Sequence, residues 1–225
     1  MKKTFLLSCL MLAAMPVMAA YTGHVYVDKN KNGVFDQSEK PLAGIKVSDG
    51  LNVVETAADG SFTLPGHERE RFIFITTPSG YKTFNRHYHK IEKKQSGYDF
   101  GLIPYSGRIR KDGSHRYIHI TDTEIFNTEN HADWVNNVHD YARNEQAAFI
   151  IHTGDICYEK GLKAHIKLMN TENMDCPVFY CIGNHDLVKG KYGEELFESI
   201  YGPVYYSFDA QHESLNGETT AVFMP

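Results

Sequence analysis

The stretch Pro177-Val178-Phe179-Tyr180-Cys181-Ile182-Gly183-Asn184-His185-Asp186 joins a short apolar run to a polar block that opens on glycine. A run of this kind, too short for a helix and closed by a turn residue, reads as a buried strand. The same grammar occurs twice upstream. Tyr117–Thr121 is strand-like and is followed by Asp122-Thr123-Glu124, and Ala148–His152 is strand-like and is followed shortly by Gly154-Asp155. Between these runs Trp134, Val135, Val138, Tyr141 and Ala142 recur at helical spacing and predict a core-facing helix. Leu162, Ile166 and Met169 outline a second helix, and Leu196, Phe197 and Ile200 a third. The β-α-β-α-β-α alternation predicts an α/β sheet with helical cover.

In such sheets ligands bind in the crevice beyond the carboxyl ends of the strands. Asp122, Glu124, Asp155, Asn184, His185 and Asp186 all fall at strand ends. Carboxylates gathered there repel one another unless a cation joins them. Oxygen and imidazole donors together suit Mn, Fe or Zn. A glycine before Asp155 and another before Asn184 would let the backbone turn sharply. One Gly-Asp or Asn-His-Asp is commonly just a turn or a cap; three blocks at three successive strand ends are much less readily accidental.

In order and spacing these blocks resemble the first three of the calcineurin-like metallophosphoesterases. The flanks Ile118–Asp122, His152–Ile156 and Tyr201–Phe208 agree with that likeness, which runs from residue 116 to residue 225. The resemblance implies two divalent transition metals, with Asp122 on the first, Asp155 bridging both and Asn184 on the second. Glu124 stands where the family usually has His, as a metal ligand or just behind one. His185 would protonate the leaving oxygen, with Asp186 orienting its imidazole. The implied reaction is hydrolysis of a phosphomonoester or phosphodiester, a small phosphate-ester substrate, by metal-activated water. The family's remaining ligands, a lone His and a Gly-His-x-His block, have no counterpart after Asp186, where His212 is the one further histidine. The resemblance therefore implies the N-terminal half of such a domain, incomplete at its C-terminal side and impaired in hydrolysis. Tyr205–Asp209 and Thr220–Met224 would be its next strands.

Residues 21–104 read differently. Short β-rich runs at His24–Val27, Ile45–Ser48, Leu51–Glu55, Ser61–Leu64, Arg71–Thr76 and Tyr98–Leu102 are punctuated by Asp49-Gly50, Asp59-Gly60 and Pro65-Gly66. That spacing predicts an all-β sandwich. Residues 82–97, rich in Lys, His and Tyr, read as a long surface loop; His87-Tyr88-His89 would otherwise put two imidazoles on one face of a strand, as for a metal or carbohydrate contact, but the solvated loop is the plainer reading. Asp28, Asn30, Asn32, Gly33, Val34, Asp36 and Glu39 match the twelve-residue calcium loop at every position. The plainer reading is a polar hairpin loop turned by Asn-Gly. With strand-like flanks the loop would not be a helix pair, and it resembles the calcium-bound β-domains of bacterial surface proteins. Its role would be structural.

Lys2 and Lys3, an apolar run from Phe5 to Met18 and the small residues near Ala19 predict a signal peptide over residues 1–19. The run falls short of a bilayer span, so the expected chain is exported, periplasmic or extracellular, with no transmembrane anchor after cleavage. Residues 105–115 read as a linker, leaving 116–225 as the phosphoesterase part. The formal charge of −5 argues against nucleic acid as the main partner. Cys157, Cys176 and Cys181 read as buried small hydrophobes without chemistry. His131 and His165 read as surface or satisfied histidines. A second function class stays open: a non-catalytic, calcium-stabilised surface module or inactive remnant.

Overall fold

The computed structural model describes residues 20–95, 97–105, 114–210 and 220–223. The expected signal peptide and most of the expected linker lie outside these residues.

The first part is a β-sandwich. Its strands are β1 (Ala20–Val27), β2 (Lys40–Pro41), β3 (Lys46–Ser48), β4 (Val53–Glu55), β5 (Ser61–Pro65), β6 (Phe72–Ile75), β7 (Tyr81–Thr83), β8 (Tyr88–Lys90) and β9 (Phe100–Pro104). One sheet runs β2-β1-β9-β7 with β5 also on β1, and the other runs β4-β3-β6-β8. Alternation along β1 turns Tyr21 and Val25 inward, where they meet Leu64, Phe100, Val47, Ile73 and Ile75 in a closed apolar core.

The second part has β10 (Arg116–Ile120), α1 (His131–Asn144), β11 (Ala147–His152), α2 (Tyr158–Leu168), β12 (Val178–Tyr180), α3 (Glu195–Tyr201), β13 (Tyr206–Asp209) and β14 (Thr220–Phe223). Strands β10, β11 and β12 are parallel neighbours in that order, and β13 and β14 form an antiparallel pair. The helices cover one face of the parallel sheet through Val135, Ala142, Leu162, Phe197 and Tyr201. The free edge of β12 is closed by side-chain hydroxyls. Val178 N–H donates to Thr171 Oγ1 at 3.1 Å and Tyr180 N–H to Tyr206 Oη at 2.7 Å.

The two parts share a core. All four residues of β6 are buried. Ile73 and Ile75 point into the sandwich, while Phe72 and Phe74 point out of it. They join Phe149, Phe179, Tyr206 and Phe208 from the second part in one aromatic cluster. Phe179 and Phe208 stack at a centroid distance of 3.6 Å. Asp209 N–H donates to Thr77 O at 2.9 Å, and Thr76 Oγ1 lies 2.7 Å from Ser207 Oγ. Arg71 reaches across to Glu198 of α3 at 2.7 Å.

Four expectations need correction. His87-Tyr88-His89 is not loop: β8 pairs with β6, and Tyr88 is buried with its ring edge-on to Phe72. The apolar body of Tyr88 anchors a segment whose charges alone suggest solvent. Tyr141 is not core-facing, being 59% exposed, because the stripe of α1 passes through Val138 and Ala142 instead. His165 is neither on the surface nor satisfied: it is fully buried and its Nε2 has no hydrogen-bond partner among the described residues. Cys181 is half-buried, whereas Cys157 and Cys176 are buried, and none of the three forms a disulfide among the described residues.

Candidate metal centre

Three loops leave the carboxyl ends of β10, β11 and β12 and are tied together by backbone hydrogen bonds. Asp122 N–H donates to Gly154 O at 3.1 Å, Glu124 N–H to Asp155 O at 2.9 Å and Ile125 N–H to Ile156 O at 2.8 Å. The third loop ends in a single 3-10 turn over Asn184–Asp186. Its His185 N–H donates to Asp155 Oδ1 at 3.0 Å. Asp122, Glu124, Asp155, Asn184 and His185 thus stand on three adjoining loops at the carboxyl ends of neighbouring parallel strands.

The glycines act in two different ways. Gly154 has φ +96°, so the turn expected there is real. Gly183 has an ordinary φ of −106°. Its requirement is steric: a Cβ there would lie 2.1 Å from Asp155 Oδ1 and 2.2 Å from Asp155 N. The second and third loops touch backbone to backbone at this point.

Strain is concentrated in the same place. Asp122 (φ 51°), Glu124 (φ 41°), Asp155 (φ 52°), Cys157 (φ 91°) and Tyr158 (φ 44°) all sit in the left-handed region. L-residues adopt it at a cost that the surroundings must offset, and such residues cluster at functional sites. Here the ladder between the loops and the buried Ile125 and Ile156 provide that offset.

Asp186 does not orient the His185 ring. It is fully buried, and its two oxygens accept from Cys157 N–H at 2.8 Å and Gly183 N–H at 2.9 Å. Burial pushes its carboxyl upward, and those backbone donors oppose the shift. Asp186 is thus a clasp between the second and third loops. The ring of His185 meets Glu124 instead, with Nδ1 3.0 Å from Oε1, a charge contact without the alignment of a hydrogen bond. Burial pushes the Cys157 thiol up, and the neighbouring carboxylates of Glu124, Asp186 and Asp155 add to it, so this sulfur is no nucleophile.

His152 carries a role that the pattern did not reveal. Its Nδ1 accepts from Gly154 N–H at 3.2 Å and its Nε2 lies 3.1 Å from Thr123 Oγ1, so one imidazole spans two of the loops. Burial lowers its pKa to about 4 and keeps it neutral. The available signal was a polar residue ending the apolar run Ala147–Ile151.

The donor chemistry fits a divalent cation. Two carboxylates and an amide oxygen stand on adjoining loops, and among the described residues neither Asp122 nor Asp155 is paired with a lysine or arginine. The side chains are gathered but not closed: among the described residues no group of three or more His, Cys, Asp and Glu stands at ligand spacing. A cavity of about 580 Å³ lies elsewhere, between the two parts of the chain, with Arg86, Tyr88 and Asp99 on one side and Asn170, Phe179 and Tyr201 on the other.

The calcium-type loop joins β1 to β2. Asp28 is buried, and its oxygens accept from Asn32 N–H at 3.2 Å and Gly33 N–H at 2.9 Å. Glu39, also buried, accepts from Lys29 N–H at 2.9 Å and Asp36 N–H at 3.2 Å. Asn30 and Asn32 each donate Nδ2 to Asp36 Oδ2, at 2.7 and 2.9 Å. Val34 N–H bonds to Asn32 Oδ1 at 2.8 Å. The loop folds around its own acids.

Among the described residues no helix is long and apolar enough to cross a membrane. A search of curated proteins finds no match. Residues 29–104 match the family described as N terminal of Calcineurin-like phosphoesterase. Residues 115–220 match the one described as Calcineurin-like phosphoesterase, which is generally metal-dependent and acts on phosphoesters. The two matches follow one another in the order of the sandwich and the strand-end crevice, and the chain belongs to the calcineurin-like phosphoesterases.

Proposed function

We propose that the chain is an exported, metal-dependent phosphoesterase that hydrolyses a small phosphomonoester or phosphodiester at the strand-end crevice. The observation that supports this reading is the three-loop clasp, in which the loops carrying Asp122, Glu124, Asp155, Asn184 and His185 are bonded to one another and the three acids stand on left-handed backbone. Export rests on the sequence of residues 1–19, and the acidic charge disfavours nucleic acid as substrate.

Asp122, Asp155 and Asn184 would hold two divalent cations of the Mn, Fe or Zn type. Bound there, the cations supply a deprotonated water at neutral pH and positive charge for the phosphoryl oxygens. In the reaction a water oxygen bonds to phosphorus, the ester P–O bond breaks and the departing oxygen takes a proton. His185 is the donor of that proton. Glu124 occupies its Nδ1 side, which leaves Nε2 as the nitrogen to meet the leaving oxygen. Glu124 thus acts behind the metals rather than on them. Asp186 and His152 act on the loops: they set the distance between Asp155, Asn184 and Thr123.

The test is turnover of para-nitrophenyl phosphate and its bis ester with Mn²⁺, in the natural chain and in Asp155→Asn. Slow, Mn²⁺-dependent hydrolysis that Asp155→Asn abolishes is the expected result. It should be slow because, among the described residues, the donors are gathered without closing to ligand spacing. Equal rates in both proteins would contradict the reading.

A second reading is favoured by the contrast between the open crevice and the self-contained loop at Asp28–Glu39. In it the chain is a calcium-stabilised surface module without hydrolysis. We read that loop as a structural calcium site in either case, with Asp28, Asn30, Asn32, Asp36 and Glu39 as side-chain ligands and Val34 through its carbonyl. Turnover in the assay above separates the two readings.

A further inference from the structure

Exposed large apolar side chains follow each of the three strand-end loops. Phe126 follows the first loop and is 58% exposed, and Tyr158 follows the second and is 51% exposed. Leu187 and Tyr192, also exposed, follow the third. Exposed apolar groups gathered at one place on a surface mark a contact that the free chain does not satisfy.

The arrangement is held rather than incidental. Ile125, just before Phe126, and Ile156, two residues before Tyr158, are buried and joined by the 2.8 Å bond from Ile125 N–H to Ile156 O. A Cβ on Gly161 would lie 2.6 Å from Ile125 O, so the first turn of α2 sits directly on the first loop. Tyr158 keeps φ 44°, a conformation that an aromatic residue adopts only under constraint. Strain is thus spent on displaying this ring to solvent. The rings also line up with the chemistry. Phe126 and Tyr158 have centroids 5.7 Å apart, and Tyr158 lies nearly parallel to His185, at 6.2 Å and 18°.

We propose that Phe126 and Tyr158 form a platform that receives an aromatic or otherwise apolar leaving group of the ester cleaved at this site. The proposal rests on the reading of the crevice as a metal-dependent phosphoesterase centre. His185 is the residue assigned to the leaving oxygen, and the Tyr158 ring stands beside it at 6.2 Å, within reach of an organic group carried by that oxygen. A ring there gains offset stacking and buries the apolar area that Phe126 and Tyr158 now expose. A small polar alcohol gains neither. The platform would therefore select among phosphate esters by their organic part, while the crevice recognises the phosphate common to all.

Binding of two non-hydrolysable probes to the Mn²⁺-loaded full chain, measured by calorimetry, tests this without relying on turnover. Phenylphosphonate and methylphosphonate share the phosphonate and differ in the ring. Phenylphosphonate is expected to bind about tenfold more tightly. Tyr158→Ala and Phe126→Ala should each bring that ratio close to one with methylphosphonate affinity kept, and Tyr158→Phe should restore it. Kept methylphosphonate affinity also shows that a variant is folded. If both probes bind the natural chain equally, the platform is refuted while the metal centre stands. If neither binds in the presence of Mn²⁺, the metal-centre reading fails and the platform with it.

Discussion

Two oxygen-rich turns of this chain are built from similar residues and end in opposite states. The loop from Asp28 to Glu39 satisfies its acids internally: both carboxylates at its ends are buried and bonded to the loop's own N–H groups. The crevice after β10, β11 and β12 spends its one buried acid, Asp186, on a clasp between loops. Asp122, Glu124 and Asn184 stay exposed on left-handed or tightly turned backbone. Acids that satisfy their own loop add stability. Acids exposed on backbone kept under strain, with no lysine or arginine beside them among the described residues, are disposed for a ligand.

The sharpest way to break the comparison is the same substitution in both turns. Gly183→Ala drives a Cβ into Asp155 and should cost more than about 4 kcal/mol in urea unfolding, or prevent folding. Gly33→Ala meets only the edge of the Phe84 ring at 3.2 Å, with φ +72°, and should cost about 1 kcal/mol. Similar losses at both sites would erase the distinction.

Acid should separate the regions next. Burial holds His152 at about 4 and His165 well below its ordinary value, so both are neutral in the fold. Below about pH 6.5 the unfolded chain binds protons that the folded chain refuses, and stability falls with pH. Each such histidine contributes about 1.4 kcal/mol per pH unit until its folded pKa is reached. The urea midpoint should therefore drop steeply between pH 6.5 and 5, with a shallower slope in His165→Phe. A flat profile would mean that these imidazoles are not shut in the core.

Calcium addresses the other turn. If the Asp28–Glu39 loop binds it with the modest affinity of extracellular sites, millimolar Ca²⁺ should add about 1 to 2 kcal/mol and raise Tm by about 4 °C. Glu39→Gln should remove that gain, and unchanged melting in the natural chain would refute the site. The smallest effect is expected at a surface pair. Arg116 and Glu145 touch, but both are about half exposed. Glu145→Ala should change stability by less than about 0.5 kcal/mol.

Much of this was legible in the sequence because it is local. A strand and a polar residue at its end are neighbours along the chain, so the strand-end positions of Asp122, Asp155 and Asn184 could be read from spacing alone. The roles of Glu124, Asp186 and His152 were not legible, because each depends on which group of another loop comes within 3 Å or so. Sequence adjacency suggests Asp186 as the orienting partner of His185, yet its carboxylate accepts from two backbone N–H donors, of Cys157 and Gly183. The docking of the sandwich on the α/β part was half written. Phe72-Ile73-Phe74-Ile75 has no polar alternation, the mark of a strand buried on both faces. What the second face would meet could not be read from one strand. Tyr88 was lost in a segment dominated by Lys and His, where a single aromatic body outweighs the charges around it.

Manganese binding by the purified chain, followed by the loss of free Mn²⁺ signal in electron paramagnetic resonance, tests the central claim most directly. The account predicts that the natural chain binds Mn²⁺ at least tenfold more tightly than Asp155→Asn, while the two proteins melt within about 2 °C of each other without metal. Equal Mn²⁺ affinity in the two would contradict it.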